Sequence, residues 1–210
     1  LERLIAEVWH TDEIRTERPK PQDEAIWGYA VIEHSFWHAI PKLWEGLDVI
    51  LKQYTGESLP IEFSPITISS WMGGDRDGNP NVTTEVTEEV LRLARWMAAD
   101  LYLRDLDELL SQLSMSQCNA AVRELCGHSS HEPYRSILRG VRDRLNATRD
   151  WAETNNPPND QIFLKKEELF APLDTCYRSL HECGMGIIAD GLLKQTLIRI
   201  STFGATLIDL

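Results

Sequence analysis

The chain has 210 residues, 42% of them hydrophobic, and a formal net charge of −12. That length suffices for one or two cores, and no apolar run approaches the roughly 20 residues that span a bilayer. The acidic balance argues against a general nucleic-acid surface, which needs clustered positive charge.

Leu1, Leu4, Ile5, Val8 and Trp9 recur at helical spacing, so a helix is expected from the first residues to about His10–Asp12. Arg15 to Gln22 carries two prolines and four charged residues and reads as a connector. Asp23 is placed to cap a long helix with an apolar face of Ile26, Tyr29, Ala30, Trp37, Ile40, Trp44, Leu47 and Leu51. Pro41 lacks the amide that a helix interior uses, so a kink, or a split after Ala39, is expected there. Gly56 ends this arm. His34 and His38 lie four apart on one helix face, a usable metal spacing, but no third ligand is evident and packing or surface placement is favoured.

Ile61 to Ser70 is the best strand candidate, although Pro65 would interrupt one side of its ladder. It delivers the segment Ser70–Thr83 (SWMGGDRDGNPNVT) into a loop before a second long helix. Trp71, the glycine pair Gly73–Gly74, the triplet Asp75–Arg76–Asp77 and Asn79 are the candidate functional residues. An aromatic and charged groups on a loop held by regular elements are a common way to build an active site. A calcium loop is excluded: its glycine would be sixth and its glutamate twelfth, whereas Gly78 is fourth and Val86 twelfth counted from Asp75. An ordinary turn, with Asp75 and Asp77 capping amides and Arg76 in solvent, stays open on spacing alone.

Thr83 or Thr84 starts the next helix, with Glu85, Glu88 and Glu89 at its positive end and a stripe through Val86, Val90, Leu93, Met97, Leu101, Leu109 and Leu113. Further helices are expected at about Pro133–Ala152, Lys165–Cys183 and Asp190–Phe203, with Gly184 and Gly204 terminating the last two. Arg135, Arg139, Arg142 and Arg149 share one side of the first of these. They suit either a solvated face paired with Asp143 and Asp150 or an anion site. The closing run Ala205–Leu210 reads as a strand. The four cysteines, Cys118, Cys126, Cys176 and Cys183, form no CxxC pair and read as free thiols of a reducing cytosol. The first residues are already in helical rhythm, the last are strand-like, and no secretory signal is visible, so a piece of a longer polypeptide is expected.

Ser70–Pro80 (SWMGGDRDGNP) resembles the signature loop of phosphoenolpyruvate carboxylases. Five more segments of that family occur in order: Trp9–Arg15 (WHTDEIR), Pro21–Glu33 (PQDEAIWGYAVIE), Glu132–Leu138 (EPYRSIL), Cys176–Gly191 (CYRSLHECGMGIIADG) and Phe203–Leu210 (FGATLIDL). The resemblance covers essentially the whole chain and implies a single fragment, residues 1–210, from the N-terminal half of a bacterial-type enzyme. The implied fold is mainly α: the helix-rich portion of a β/α (TIM-type) barrel. Long helices would occupy 1–55 and 84–203, and two barrel strands would lie near 61–70 and 205–210.

The implied activity is that of a cytoplasmic carboxy-lyase. It joins phosphoenolpyruvate and bicarbonate into oxaloacetate and inorganic phosphate, feeding the tricarboxylic acid cycle. Mg2+ or Mn2+ and a catalytic histidine would be held outside this fragment, which alone would be inactive. The resemblance also implies a homotetrameric parent tuned by allosteric small molecules, with no nucleic acid or membrane partner. Trp71 would wall an apolar pocket for carbon dioxide, and Arg76 would orient the loop beside the substrates or serve as a structural salt bridge. Arg15 and Arg135 match positions that bind a sugar-phosphate activator. Two rival readings stand beside this one: a non-catalytic helical scaffold or effector-binding module, and another enolate-forming barrel enzyme.

Overall fold

The computed structural model describes residues 1–11, 19–127, 130–154 and 156–208. The described residues are mainly helical and contain no β-ladder. The helices are α1 (Glu2–His10), α2 (Pro21–Val31), α3 (Trp37–Thr55), α4 (Thr84–Gln112), α5 (Ala120–Cys126), α6 (Pro133–Ala152), α7 (Lys166–Glu182), α8 (Gly186–Ala189) and α9 (Leu192–Phe203). None is long and apolar enough to cross a membrane.

α4 is the axis of the molecule. Thr83 caps it by accepting a hydrogen bond from the Val86 amide at 3.4 Å. Its 29 residues reach about 43 Å at the usual helical rise. One side of α4 lies along α6, and other faces meet α2 and α9. Ala94, Ala98, Leu101, Tyr102, Leu106 and Leu109 fill those contacts, joined by Leu138 and Leu145 from α6 and Leu197 from α9. α1 contributes nothing to this core: none of its residues is buried, and its Leu1–Trp9 stripe faces outward.

The Lys20–Pro21 step opens α2, so Asp23 is not the cap; it sits at the third helical position and accepts from the Lys20 amide at 2.9 Å. Pro41 does not end its helix either. α3 runs through it, and the irregularity lies upstream, in a π-helical turn over Ile32–Phe36 that joins α2 to α3. The cause is geometric. A helical proline cannot donate to the carbonyl four residues back, and its ring crowds that carbonyl. Here that carbonyl belongs to Trp37, and Arg199 of α9 supplies the missing donor through Nε at 2.8 Å.

The same guanidinium pairs with Asp105 of α4 at 2.7 Å, and both side chains are almost completely buried. Trp37 Nε1 and Thr196 Oγ1 also donate to Asp105, at 3.5 and 3.3 Å. Burial pushes the Asp105 carboxyl above the usual carboxylate range, while Arg199, Trp37 and Thr196 pull it back. Around this centre Trp37 stacks on Phe203 at 5.2 Å and meets Tyr102 at 5.0 Å. Tyr102 donates to the Gly204 carbonyl at 2.8 Å, fixing the exit of α9.

Neither expected strand forms a ladder. Residues 61–70 begin with a turn, run extended and contain one isolated bridge residue, Ser69. Side chains bind this stretch instead. Trp44 Nε1 donates to the Phe63 carbonyl at 3.0 Å, Ser201 Oγ to the Ile61 carbonyl at 3.1 Å, and the Ser64 and Thr202 hydroxyls meet at 2.9 Å. After Gly204 the chain turns rather than extends: Leu207 takes a φ of 66° and the Ile208 amide bonds to the Thr206 carbonyl at 2.8 Å. A strand needs a neighbour to accept its backbone groups, and none stands beside either segment among the described residues. Asp209 and Leu210 lie outside the described residues. α5 is capped by the Asn119 side chain, which accepts from the Val122 amide at 3.0 Å.

Removing the Asp105 carboxylate leaves a buried guanidinium without its counter-charge. Asp105→Ala is therefore expected to lower the unfolding free energy by about 3–5 kcal/mol. Urea denaturation followed by far-UV circular dichroism measures this; a loss under about 1 kcal/mol would show that the pair is not what joins α4 to α9.

Candidate functional site

The loop between Ser70 and Thr83 is anchored at its start and free at its middle. Met72 lies against Gly28 of α2 so closely that a Cβ there would fall 2.1 Å from the methionine methyl. Gly73 is buried, with φ +77°, and a Cβ on it would lie 2.6 Å from a Val90 methyl. Thr87 Oγ1 donates to the Gly73 carbonyl at 2.6 Å. Glycine is required at 73 for both reasons: the left-handed backbone and the contact with α4. Gly74 and Asp75 then turn back onto the Trp71 carbonyl, each amide at 2.9 Å.

Beyond this anchor the loop supports itself. The Asp75 carboxylate accepts from the Asp77 amide at 3.0 Å, and the Asn79 side chain accepts from the Asn81 amide at 3.1 Å. These are short side-chain-closed turns. Asp75, Arg76 and Asp77 are exposed. Arg76 forms no ion pair with either aspartate among the described residues. Its charge instead adds a small pull on Glu85, whose carboxyl sits below the usual range chiefly through a hydrogen bond from Thr83.

Trp71 is held by this architecture with its indole 77% exposed. It borders an apolar cavity of about 270 Å³, lined also by Tyr29, Ile32, Phe36, Ile68 and Met72. Tyr29 is buried, and its hydroxyl donates to the Val90 carbonyl at 3.1 Å, so the cavity floor is tied to α4. The arrangement offers a nonpolar wall beside a charged loop. Among the described residues the cavity lining holds no paired acid and base.

A family model described as phosphoenolpyruvate carboxylase matches residues 1–210. The chain belongs to the phosphoenolpyruvate carboxylase family. Curated relatives bearing that name include one from Pseudomonas putida, 59% identical over 208 residues that make up 97% of this chain and 24% of the relative. Relatives from Pseudomonas entomophila and Ectopseudomonas mendocina are 56% and 55% identical over 214 residues, covering 100% of this chain and 24% of each. The chain thus spans about a quarter of the length of the relatives it matches.

The arginines of α6 are not gathered into a free anion site. Arg135 donates through Nε to the Leu110 carbonyl at 2.6 Å and through Nη2 to the Ser111 carbonyl at 3.3 Å, closing the C-terminus of α4. Its remaining nitrogen binds Glu132, which also holds Arg139 at 3.1 Å. These two arginines keep the Glu132 carboxyl below its usual range, the Arg135 hydrogen bond most of all. Arg149 pairs with Asp100 at 3.2 Å. Arg15 lies outside the described residues.

Among the described residues no group of three His, Cys, Asp or Glu side chains is placed to hold a metal ion. His34 is in the π-helical turn and His38 in the first turn of α3. All four cysteines are free, and burial pushes the Cys176 thiol up to about 12.

The two reasons for glycine at 73 can be separated. Gly78 also has positive φ, at 67°, but a Cβ there meets nothing within 4 Å. Gly78→Ala is expected to cost about 1–2 kcal/mol from backbone strain alone. Gly73→Ala should cost about 1–3 kcal/mol more from overlap with Val90. Equal losses in parallel urea titrations would show that the loop does not wedge against α4.

Proposed function

We propose that this chain is the loop-bearing helical portion of an enzyme that carboxylates phosphoenolpyruvate with bicarbonate, giving oxaloacetate and inorganic phosphate. The observation that carries the reading is Trp71: an exposed indole on a glycine-anchored loop, at the mouth of an apolar cavity, in a chain of this family.

The chemistry explains why such a wall is useful. Attack of a bicarbonate oxygen on the phosphorus transfers the phosphoryl group, giving carboxyphosphate and the enolate of pyruvate. Carboxyphosphate breaks into phosphate and carbon dioxide, and the enolate carbon then bonds to that carbon dioxide. A proton from water would quench the enolate to pyruvate, so water must be kept out while a nonpolar gas is kept in. The Trp71 face and the apolar cavity behind it suit both tasks. Arg76, unpaired with its flanking aspartates, is left free to face the phosphate of a substrate.

A divalent metal, Mg2+ or Mn2+, would stabilise enolate charge in such an enzyme. No group of His, Cys, Asp or Glu side chains among the described residues fits one. In the same reading, segments 61–70 and 205–210 would join a β/α barrel completed by the remainder of a longer protein, which would supply the neighbouring strands they lack. An activator at Arg135 would have to displace Glu132 or join it, because all three guanidinium nitrogens are engaged.

The test is Trp71→Ala in the full-length enzyme, with pyruvate and oxaloacetate quantified from the same reaction. Pyruvate is expected to rise at the expense of oxaloacetate, with the KM for phosphoenolpyruvate nearly unchanged and Trp71→Phe close to wild type. An unchanged product ratio in the alanine variant would place Trp71 in packing rather than in the reaction.

A further inference from the structure

Acidic residues outnumber basic ones, 33 to 21, so a half-buried arginine readily finds a carboxylate. Arg135, Arg144, Arg149 and Arg199 each do. Arg92 and Arg95, one turn apart on α4, do not: neither forms an ion pair among the described residues. Arg92 Nη1 donates to the Thr154 carbonyl at 2.7 Å, while its Nε is buried without a hydrogen-bond partner. Arg95 Nη1 donates to the Phe163 carbonyl at 2.6 Å, and its guanidinium stands 6.0 Å from the Trp151 ring centroid. Burial with no counter-charge pulls Arg95 below the usual arginine range.

Both guanidiniums line a cavity of about 480 Å³ whose wall includes Trp151, Pro157 and Pro158. Among the described residues the one acid in that lining is Glu88, which is exposed, and Arg92 also borders a second cavity with Glu85, Glu89 and Glu153. The cavity therefore combines two half-buried cations, one rim carboxylate, an aromatic face and two rigid apolar rings. Its volume is that of a small-molecule site. A guanidinium fork matches the paired oxygens of a carboxylate or phosphate.

We propose that this cavity binds a small organic anion, its carboxylate or phosphate held by Arg92 and Arg95 and a flat apolar portion lying against Trp151 and the two prolines. The site is separate from the Trp71 loop, and neither arginine belongs to a motif in the sequence.

Isothermal titration of the full chain with phenyl phosphate, benzoate and inorganic phosphate tests the proposal. At least one aromatic anion is expected to bind once per chain and more tightly than inorganic phosphate, which has no ring for Trp151. The preference between the two aromatic anions assigns the headgroup as phosphate or carboxylate. Arg92→Gln and Arg95→Gln are each expected to weaken that binding about tenfold, the usual size of one charge-assisted hydrogen bond. Trp151→Leu should weaken the aromatic anion and leave inorganic phosphate unchanged. Arg95→Lys keeps the charge and should fall between wild type and Arg95→Gln, which separates loss of the site from loss of the fold. The proposal is overturned if neither aromatic anion binds, or if binding is the same in wild type and in the three site variants.

Discussion

The carbonyl of Trp37 is the point on which the molecule turns. Pro41 deprives it of its helical donor, and a carbonyl left unpaired in the core would cost about 1–3 kcal/mol. Arg199 reaches across from α9 to satisfy it, but brings a positive charge into a dry interior. Asp105 of α4 answers that charge, and Trp37 and Thr196 complete its hydrogen bonds. One proline thus forces a chain of polar partners that fixes α3, α4 and α9 relative to one another. Hydrophobic packing alone would let these helices slide; a satisfied buried network favours one register.

That register carries through to the loop. α4 begins immediately after the loop and presents Val90 and Thr87 toward Gly73. α2 leads into the π-helical turn beside Trp37 and presents Gly28 toward Met72. Gly73 lets the loop approach α4 where a Cβ would overlap Val90, and Gly28 leaves room for the end of the Met72 side chain. Trp71 therefore projects from a rigid base while Asp75 to Asn79 closes on itself through short turns.

Arginine does two different jobs in this acidic chain. Arg135 closes the end of α4 and Arg199 binds the first carbonyl of α3, and each has a carboxylate nearby to balance its charge. Arg92 and Arg95 take carbonyl partners but no carboxylate. The contrast lies in the partners rather than in the residue type, which is why composition and spacing alone do not distinguish a structural arginine from one that leaves room for a ligand.

The sequence by itself determined the helical character, because apolar residues at three- and four-residue intervals specify a buried stripe whatever the surroundings. It also determined the caps and stops that depend on one or two neighbours, such as Thr83 before α4 and Gly56 and Gly204 after α3 and α9. The loop from Ser70 to Pro80, and the family with it, were legible from an ordered run of letters. What only the tertiary structure decided were the partners of groups far apart in the chain. Pro41 reads locally as a helix break, yet Arg199, far along the chain, makes an unbroken helix tolerable. Ile61–Ser70 reads as a strand, yet among the described residues no strand stands beside it, and side chains of α3 and α9 bind the Phe63 and Ile61 carbonyls. Asn119 and Ser179 shaped a helical corner from a stretch with little pattern of its own. Local preference is worth a fraction of a kcal/mol for an ordinary residue and about 3 kcal/mol for a proline inside a helix, and a buried group without its partner costs about 1–3 kcal/mol; at Pro41 the distant donor offsets part of the local cost.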